Sequence, residues 1–277
     1  MPMNERTIVS LTSYEPRFQN LPTVLDTILA QAVKPDLIVL NLAHEAIVPN
    51  DVQEYLDRHN IEVFRVEDTK VYKKLIPTLK RYPNDIVISI DDDWLYPEEM
   101  IADFLERHSQ YPNHPISGNK LVFSEMICHC GCASLTKAEF FGEYLDMIDQ
   151  KIIQNCSCDD IVYTFFANKA GHPYITTEKE YFTNLAPYNE GHGYSETFEE
   201  EHRVEKSFSF LIQKYGAPPH FTDTYISDPY IADLLYHIHT ADKRNSIKNT
   251  QIEIRSSARY KLGKLLLKPF SFMHHGQ

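Results

Sequence analysis

Within its first ninety or so residues the chain alternates four strand patterns with three helix patterns, and this alternation narrows its possible folds more than any other feature. "TIVSLTS" (7–13) reads as a strand, after which Leu21, Val24, Leu25, Ile28, Leu29 and Ala32 recur at helical spacing behind Pro22, a residue suited to a first turn. "DLIVLNL" (36–42) is a second strand, "DVQEYLDRH" a helix, "IEVFRV" (61–66) a third strand, and "YKKLIPTLKRY" a helix bent or started near Pro77. "DIVISI" (85–90) is continuous in apolar or β-branched residues, as a strand buried on both faces must be. Such alternation predicts an α/β fold whose mostly parallel sheet is flanked by helices, and ligands of such sheets bind beyond the carboxyl ends of the strands.

Further along, a helix is expected from Pro97, with Glu98 and Glu99 near its positive end and Met100, Ile101, Phe104 and Leu105 on one face. "HPISGNKLVF" predicts a returning strand. Ser157 and Asp160 form a capping-box pattern ahead of "IVYTFFANKAG", where Gly171 can close the helix, and "VEKSFSFLIQKYG" and "DPYIADLLYHIH" read as further helices. We expect a catalytic-size domain over 1–220, its halves being 1–115 and 116–220, and a helical, basic appendage over 221–277, with 241–257 as the best linker candidate.

Charge supports that division. The formal net charge is −12, yet residues 243–277 carry eight Lys/Arg against Glu253 alone, a local +7 that leaves −19 on the remainder. An acidic body is unsuited to nonspecific nucleic-acid binding, whereas the short basic tail, in which lysines alternate with Leu265, Leu266, Leu267, Phe270 and Phe272, suits either an anionic membrane surface or packing on the body. No run of about 18 apolar residues occurs and "MPMNERTIVSL" lacks a signal-peptide pattern, so the cytoplasmic side is the expected address. Cysteines cluster as Cys128, Cys130, Cys132 and as Cys156, Cys158; their odd number and CxC spacing favour buried thiols over disulfides or zinc.

The fourth strand runs into Asp91, Asp92 and Asp93. Along an extended strand, positions two apart share a face, so Asp91 and Asp93 can converge and Asp92 points away. Converging carboxylates suit a hard cation, Mg²⁺ or Mn²⁺, that bridges to phosphate oxygens. The plainer alternative is a solvated turn in which Asp93 caps the next helix. No glycine-rich phosphate loop follows the first strand, so a nucleotide bound there needs other phosphate partners.

At this point the chain resembles the GT-A glycosyltransferases, in which an Asp-x-Asp motif ends a strand. "VSLTSYEPRFQNLPTVLDTILAQAVKPDLIVLNL" is similar to their opening strand-helix-strand, and "YKKLIPTLKRYPNDIVISIDDDWLYP" to the segment entering the motif in bacterial members that build surface polysaccharides; the likeness spans roughly 7–215. The resemblance implies a nucleotide-sugar donor, a UDP-sugar above all, with a divalent metal on its diphosphate. It places Thr12, Ser13 and Tyr14 at the nucleoside, Arg17 within reach of phosphate, Asp68 at the base or ribose, Lys73 or Lys74 against donor charge, and Asp92 in a structural or donor-sugar role. It also implies that Asp159-Asp160 supplies the base for the acceptor hydroxyl, with Asp160 the base and Asp159 its neighbour, although acids in a first helical turn also serve as caps. His192, or His202 in its stead, would complete metal coordination.

The expected activity is therefore transfer of a sugar to an acceptor hydroxyl of a glycan or lipid-linked acceptor, with inversion and with Asp160 as base. A nucleotidyltransferase acting on sugar phosphates is the rival enzyme, against which the missing glycine-rich loop argues. A catalytically inactive sugar- or partner-binding module is the rival of another class.

Overall fold

The computed structural model describes residues 5–118, 122–123, 126–127, 129, 132–177, 183–184 and 203–218. Contacts divide the chain into two units, Met1–Pro219 and His220–Gln277, and every described residue lies in the first. The basic tail, the helix expected at "DPYIADLLYHIH", the linker expected at 241–257, His192, His202, Cys128 and Cys130 are outside the described residues.

The strands are β1 (Thr7–Thr12), β2 (Leu37–Ala43), β3 (Glu62–Val66), β4 (Ile86–Ile90), β5 (Trp94–Leu95), β6 (Ile116–Ser117), β7 (Val122–Phe123), β8 (Met126–Ile127), β9 (Ala133–Thr136), β10 (Ile175–Thr176) and β11 (Thr183–Asn184). The α-helices are α1 (Leu21–Leu29), α2 (Asn50–Arg58), α3 (Ile76–Arg81), α4 (Met100–Gln110), α5 (Tyr144–Met147), α6 (Gln150–Asn155), α7 (Asp159–Lys169) and α8 (Arg203–Tyr215). One seven-stranded sheet runs β10-β6-β9-β4-β1-β2-β3. Its β4-β1-β2-β3 half is parallel, whereas β9 pairs antiparallel with β4 and β6, so the sheet is mixed and mostly parallel, in a GT-A-like arrangement.

Burial explains the continuous apolar runs. Every residue of β4 is buried, as are the first five of β1, because helices cover both faces of the central strands. The polar side chains inside this core satisfy one another. Ser10 donates to the Lys74 carbonyl at 2.5 Å, so its contact with Thr78 at 2.7 Å is donated by Thr78, and the Asn41 amide donates to both hydroxyls. This knot fastens β1 and β2 to the segment that carries Lys74.

Several element boundaries differ from the sequence expectation. The segment "YKKLIPTLKRY" splits into a 3₁₀ turn, Lys70–Lys74, and α3 with Pro77 in its first turn. Because Trp94–Leu95 pairs with β11 and Pro97 and Glu98 give their carbonyls to Gln31 and Ala32, α4 begins only at Met100. The returning strand is short, Ile116–Ser117, with Val122–Phe123 paired separately to β8. Helix α7 starts at Asp159 with Cys158 as its cap position and no side-chain cap, so the capping box expected at Ser157 and Asp160 does not form. At its other end Gly171 takes a positive φ of 90°, and His172 N–H donates to the Ala167 carbonyl at 2.8 Å, the closure that a left-handed residue permits.

Candidate active site

Parallel pairing of β1 with β2 and β4, and of β2 with β3, brings the carboxyl ends of four strands to one edge. The segments leaving that edge carry Thr12 to Arg17, Asp68 to Lys74 and Asp91 to Asp93. From the acceptor-side half, α7 adds Asp159 and Asp160 in its first turn, where their charge is favourable to the helix dipole.

The aspartate triplet is not extended. Strand β4 stops at Ile90, and Asp91–Asp93 form a turn before β5, so face alternation does not govern them, and Asp93 caps no helix. Asp92 is the most deeply set. Ser13 Oγ donates to its Oδ2 at 2.5 Å and Arg17 Nη1 to its Oδ1 at 2.7 Å, with the same nitrogen 3.2 Å from Asp93 Oδ2. Asp92 is thus the anchor of the loop after β1 rather than a side chain directed away from its neighbours. Burial opposes the charge on Arg17, but Asp92 and Asp93 outweigh it and its pKa rises. Tyr14 is 40% exposed, with the Arg17 guanidinium 5.6 Å over its ring, a geometry that offers an aromatic face at the site rim.

Lys74 joins the two acidic regions. Its Nζ lies 3.0 Å from Asp91 Oδ1 and 3.1 Å from Asp159 Oδ2, with the lysine side chain only 4% exposed. Burial opposes this ammonium too, and Asp159 and Asp91 hold its pKa well above the ordinary value. Lys73, equally buried, turns the other way onto Asp68, whose carboxyl its hydrogen bond lowers below the usual range while leaving it half exposed. Neither lysine lies on a solvated helix face.

The site holds more negative than positive charge. Asp91, Asp92, Asp93, Asp159 and Asp160 stand against Lys74 and Arg17, and Asp91 shows the result: burial pushes its carboxyl up to about 7, Lys74 pulls it down, and Asp93 and Asp159 raise it again. Burial also raises Asp93 despite the pull of Arg17. Among the described residues no three His, Cys, Asp or Glu side chains form a ready-made ion site. Ions that work on phosphates need no such cage, because they draw one or two carboxylates from the protein and the rest of their oxygens from the substrate. Asp91 and Asp93, hard-oxygen groups in surplus negative charge, fit a cation of that kind.

The remaining assignments divide cleanly. Thr12 spends its hydroxyl on the Asn41 carbonyl at 2.7 Å, and Ser13 spends its own on Asp92, so both shape the rim from within. Asp159 is buried and faces Lys74, whereas Asp160 is partly exposed; its carbonyl, not its carboxylate, receives Thr164 Oγ1. The buried thiols Cys156 and Cys158 underlie α7; burial pushes Cys156 up to about 12, so it is not a nucleophile.

Sequence reasoning missed two supporting residues. Tyr96 donates its hydroxyl to the Cys132 carbonyl at 2.6 Å and accepts the Asp91 N–H at 3.1 Å, which seats the turn. Tyr72 donates to the Cys156 carbonyl at 2.7 Å and packs edge-on against Tyr163, which holds the Lys74 segment to the start of α7. The local pattern carried no signal for either, since each acts through a backbone carbonyl distant in sequence.

The fold is GT-A-like. No protein-family model matches the chain, and no curated protein matches it by sequence. Solved structures do. A mannosyltransferase, PcManGT from Pyrobaculum calidifontis in complex with GDP-Man and Mn²⁺, aligns over 96% of this chain and 84% of its own with a TM-score of 0.62 at 17% identity. S. aureus TarS aligns over 92% of this chain and 46% of its own with a TM-score of 0.54 at 11% identity. Among the described residues no helix is long and apolar enough to cross a membrane.

Proposed function

We propose that the protein is a metal-dependent glycosyltransferase that moves a sugar from a nucleoside-diphosphate donor, a UDP-sugar in our reading, to an acceptor hydroxyl in glycan or polysaccharide biosynthesis. The observation that carries this reading is the meeting of Asp91 with Asp159 across Lys74, a donor-side acid and an acceptor-side acid at the carboxyl edge of a GT-A-like sheet. PcManGT, of similar fold, was solved with GDP-Man and Mn²⁺, which supports a sugar nucleotide and a divalent ion.

In this reading Asp91 and Asp93 hold Mn²⁺ or Mg²⁺, and His192 is the proposed third ligand. When bound, the ion supplies positive charge to the diphosphate oxygens as negative charge builds on them. Tyr14 offers its face to the nucleobase, and Asp68, held by Lys73, accepts a hydrogen bond from base or ribose. Arg17 keeps the Ser13–Arg17 loop closed on Asp92, so the donor meets a preformed wall. Asp160 takes the acceptor hydroxyl proton while the hydroxyl oxygen bonds to the anomeric carbon. The bond from that carbon to the diphosphate oxygen breaks with its electron pair on the leaving group, and attack from the opposite side inverts the centre. The basic tail holds the enzyme on an anionic membrane surface near a lipid-linked acceptor, which deletion of 255–277 and vesicle sedimentation would test.

The deciding experiment is a panel of nucleotide-sugars incubated with and without Mn²⁺. Metal-dependent binding and slow donor hydrolysis by one class of donor are expected; no metal-dependent response to any donor would sink the proposal.

A further inference from the structure

We infer that Lys74 is a positioning residue that competes with the divalent cation for Asp91 and, when displaced, remains on Asp159. The inference rests on the metal-binding reading given above. One ammonium makes both contacts, at 3.0 Å and 3.1 Å, and it is nearly sealed from solvent. Its backbone is not free to withdraw, because Ser10 holds the Lys74 carbonyl at 2.5 Å and Ser10 is itself tied to Thr78 and Asn41. A cation arriving on Asp91 therefore meets a positive charge whose backbone cannot retreat, and relief comes from shifting the ammonium toward Asp159.

The consequence joins the two halves of the site. With no cation bound, Lys74 shares its charge between Asp91 and Asp159. With a cation on Asp91 the ammonium is left to Asp159, which it holds as an ion pair, and base catalysis falls to Asp160. Donor-side occupancy thus selects the acceptor-side base through a single buried side chain. A lysine present only to fill space or tie two elements together would have no such effect on the ion.

The test is Mn²⁺ affinity of the full chain without nucleotide, read from the free-ion signal in electron paramagnetic resonance. Removing a unit charge within a few ångströms of the ion should tighten Mn²⁺ binding by about tenfold in Lys74→Gln, while Lys74→Arg, which keeps the charge, stays near the wild type. Lys74→Gln binding Mn²⁺ no more tightly than the wild type would overturn the inference. Should that variant not fold, Asp159→Asn decides: losing its second acid, Lys74 falls wholly to Asp91, and Mn²⁺ must bind several-fold more weakly, unchanged affinity being the contrary result. If wild-type protein shows no Mn²⁺ binding with or without nucleotide, the metal reading itself fails, an outcome distinct from a wild type that binds and a Lys74→Gln variant that does not tighten.

Discussion

Arg17 and Asp92 form an ion pair of 2.7 Å in which neither side chain is more than 12% exposed. The middle acid of the triplet is therefore a structural anion, and the guanidinium leaves the pair only at the cost of an uncompensated buried charge. Breaking such a pair from one side typically costs about 3–5 kcal/mol. Because Arg17 keeps Asp93 in Asp92→Asn, the lower end applies, and thermal unfolding should fall by several degrees while the donor's metal requirement is unchanged. Unaltered stability with lost donor binding would make Asp92 a donor ligand instead.

Asp91 predicts a specific pH dependence. Burial holds its carboxyl at about 7, above the ordinary 3.8, so the folded protein binds a proton that the unfolded chain has released. The unfolded state binds fewer protons across that window, and stability must decline as pH rises from about 4 to about 7. Metal-free protein should lose thermal stability between pH 5 and pH 7.5, and Asp91→Asn should flatten that slope. An equal slope in wild type and variant would place the titrating group elsewhere.

Asp93→Asn and Asp160→Asn should separate binding from transfer. The first weakens Mn²⁺-dependent donor binding at least about tenfold, as loss of one of two hard-oxygen ligands requires. The second leaves donor affinity within about twofold and lowers transfer by about 10²–10⁴-fold, the usual contribution of a general base. Calorimetric titration with donor and single-turnover transfer distinguish them, and equal losses in both assays would mean that the division of roles is wrong.

Tyr96→Phe removes the hydroxyl that receives the Asp91 N–H and donates to the Cys132 carbonyl, leaving these two groups only their own longer contact of 3.4 Å. Losing a hydrogen bond of this kind costs about 0.5–1.5 kcal/mol net, and here the loss falls on the turn that aims Asp91. Reduced stability and weaker Mn²⁺ binding should appear together; a fall in stability alone would show that Tyr96 supports the fold without positioning the site.

The strand-helix alternation was legible because periodicity is a local property: a run such as "DIVISI" must be buried on both faces wherever it lies, and it is. The mostly parallel sheet followed, and with it the edge where Asp91 to Asp93 emerge. Boundaries were less legible. Helix α4 begins at Met100 rather than near Pro97, since long-range pairing of Trp94–Leu95 and the carbonyls of Pro97 and Glu98 claimed the intervening residues. The cap expected at Ser157 gave way to a start at Asp159 for a similar reason, the segment being held by Ser207 on α8, whose hydroxyl receives the Cys158 N–H.

Sequence alone determined which acids matter as candidates, since carboxylates after a buried strand and at a helix start can be named from position. Tertiary structure decided what each one touches. Face alternation would have paired Asp91 with Asp93 and turned Asp92 away, but a turn obeys no such period, and Arg17 drew Asp92 inward instead. That Lys74 bridges Asp91 to Asp159, while its neighbour Lys73 faces Asp68, depends on three elements meeting in space. An ion pair is chosen by distance and burial, and neither is a property of a residue's place along the chain.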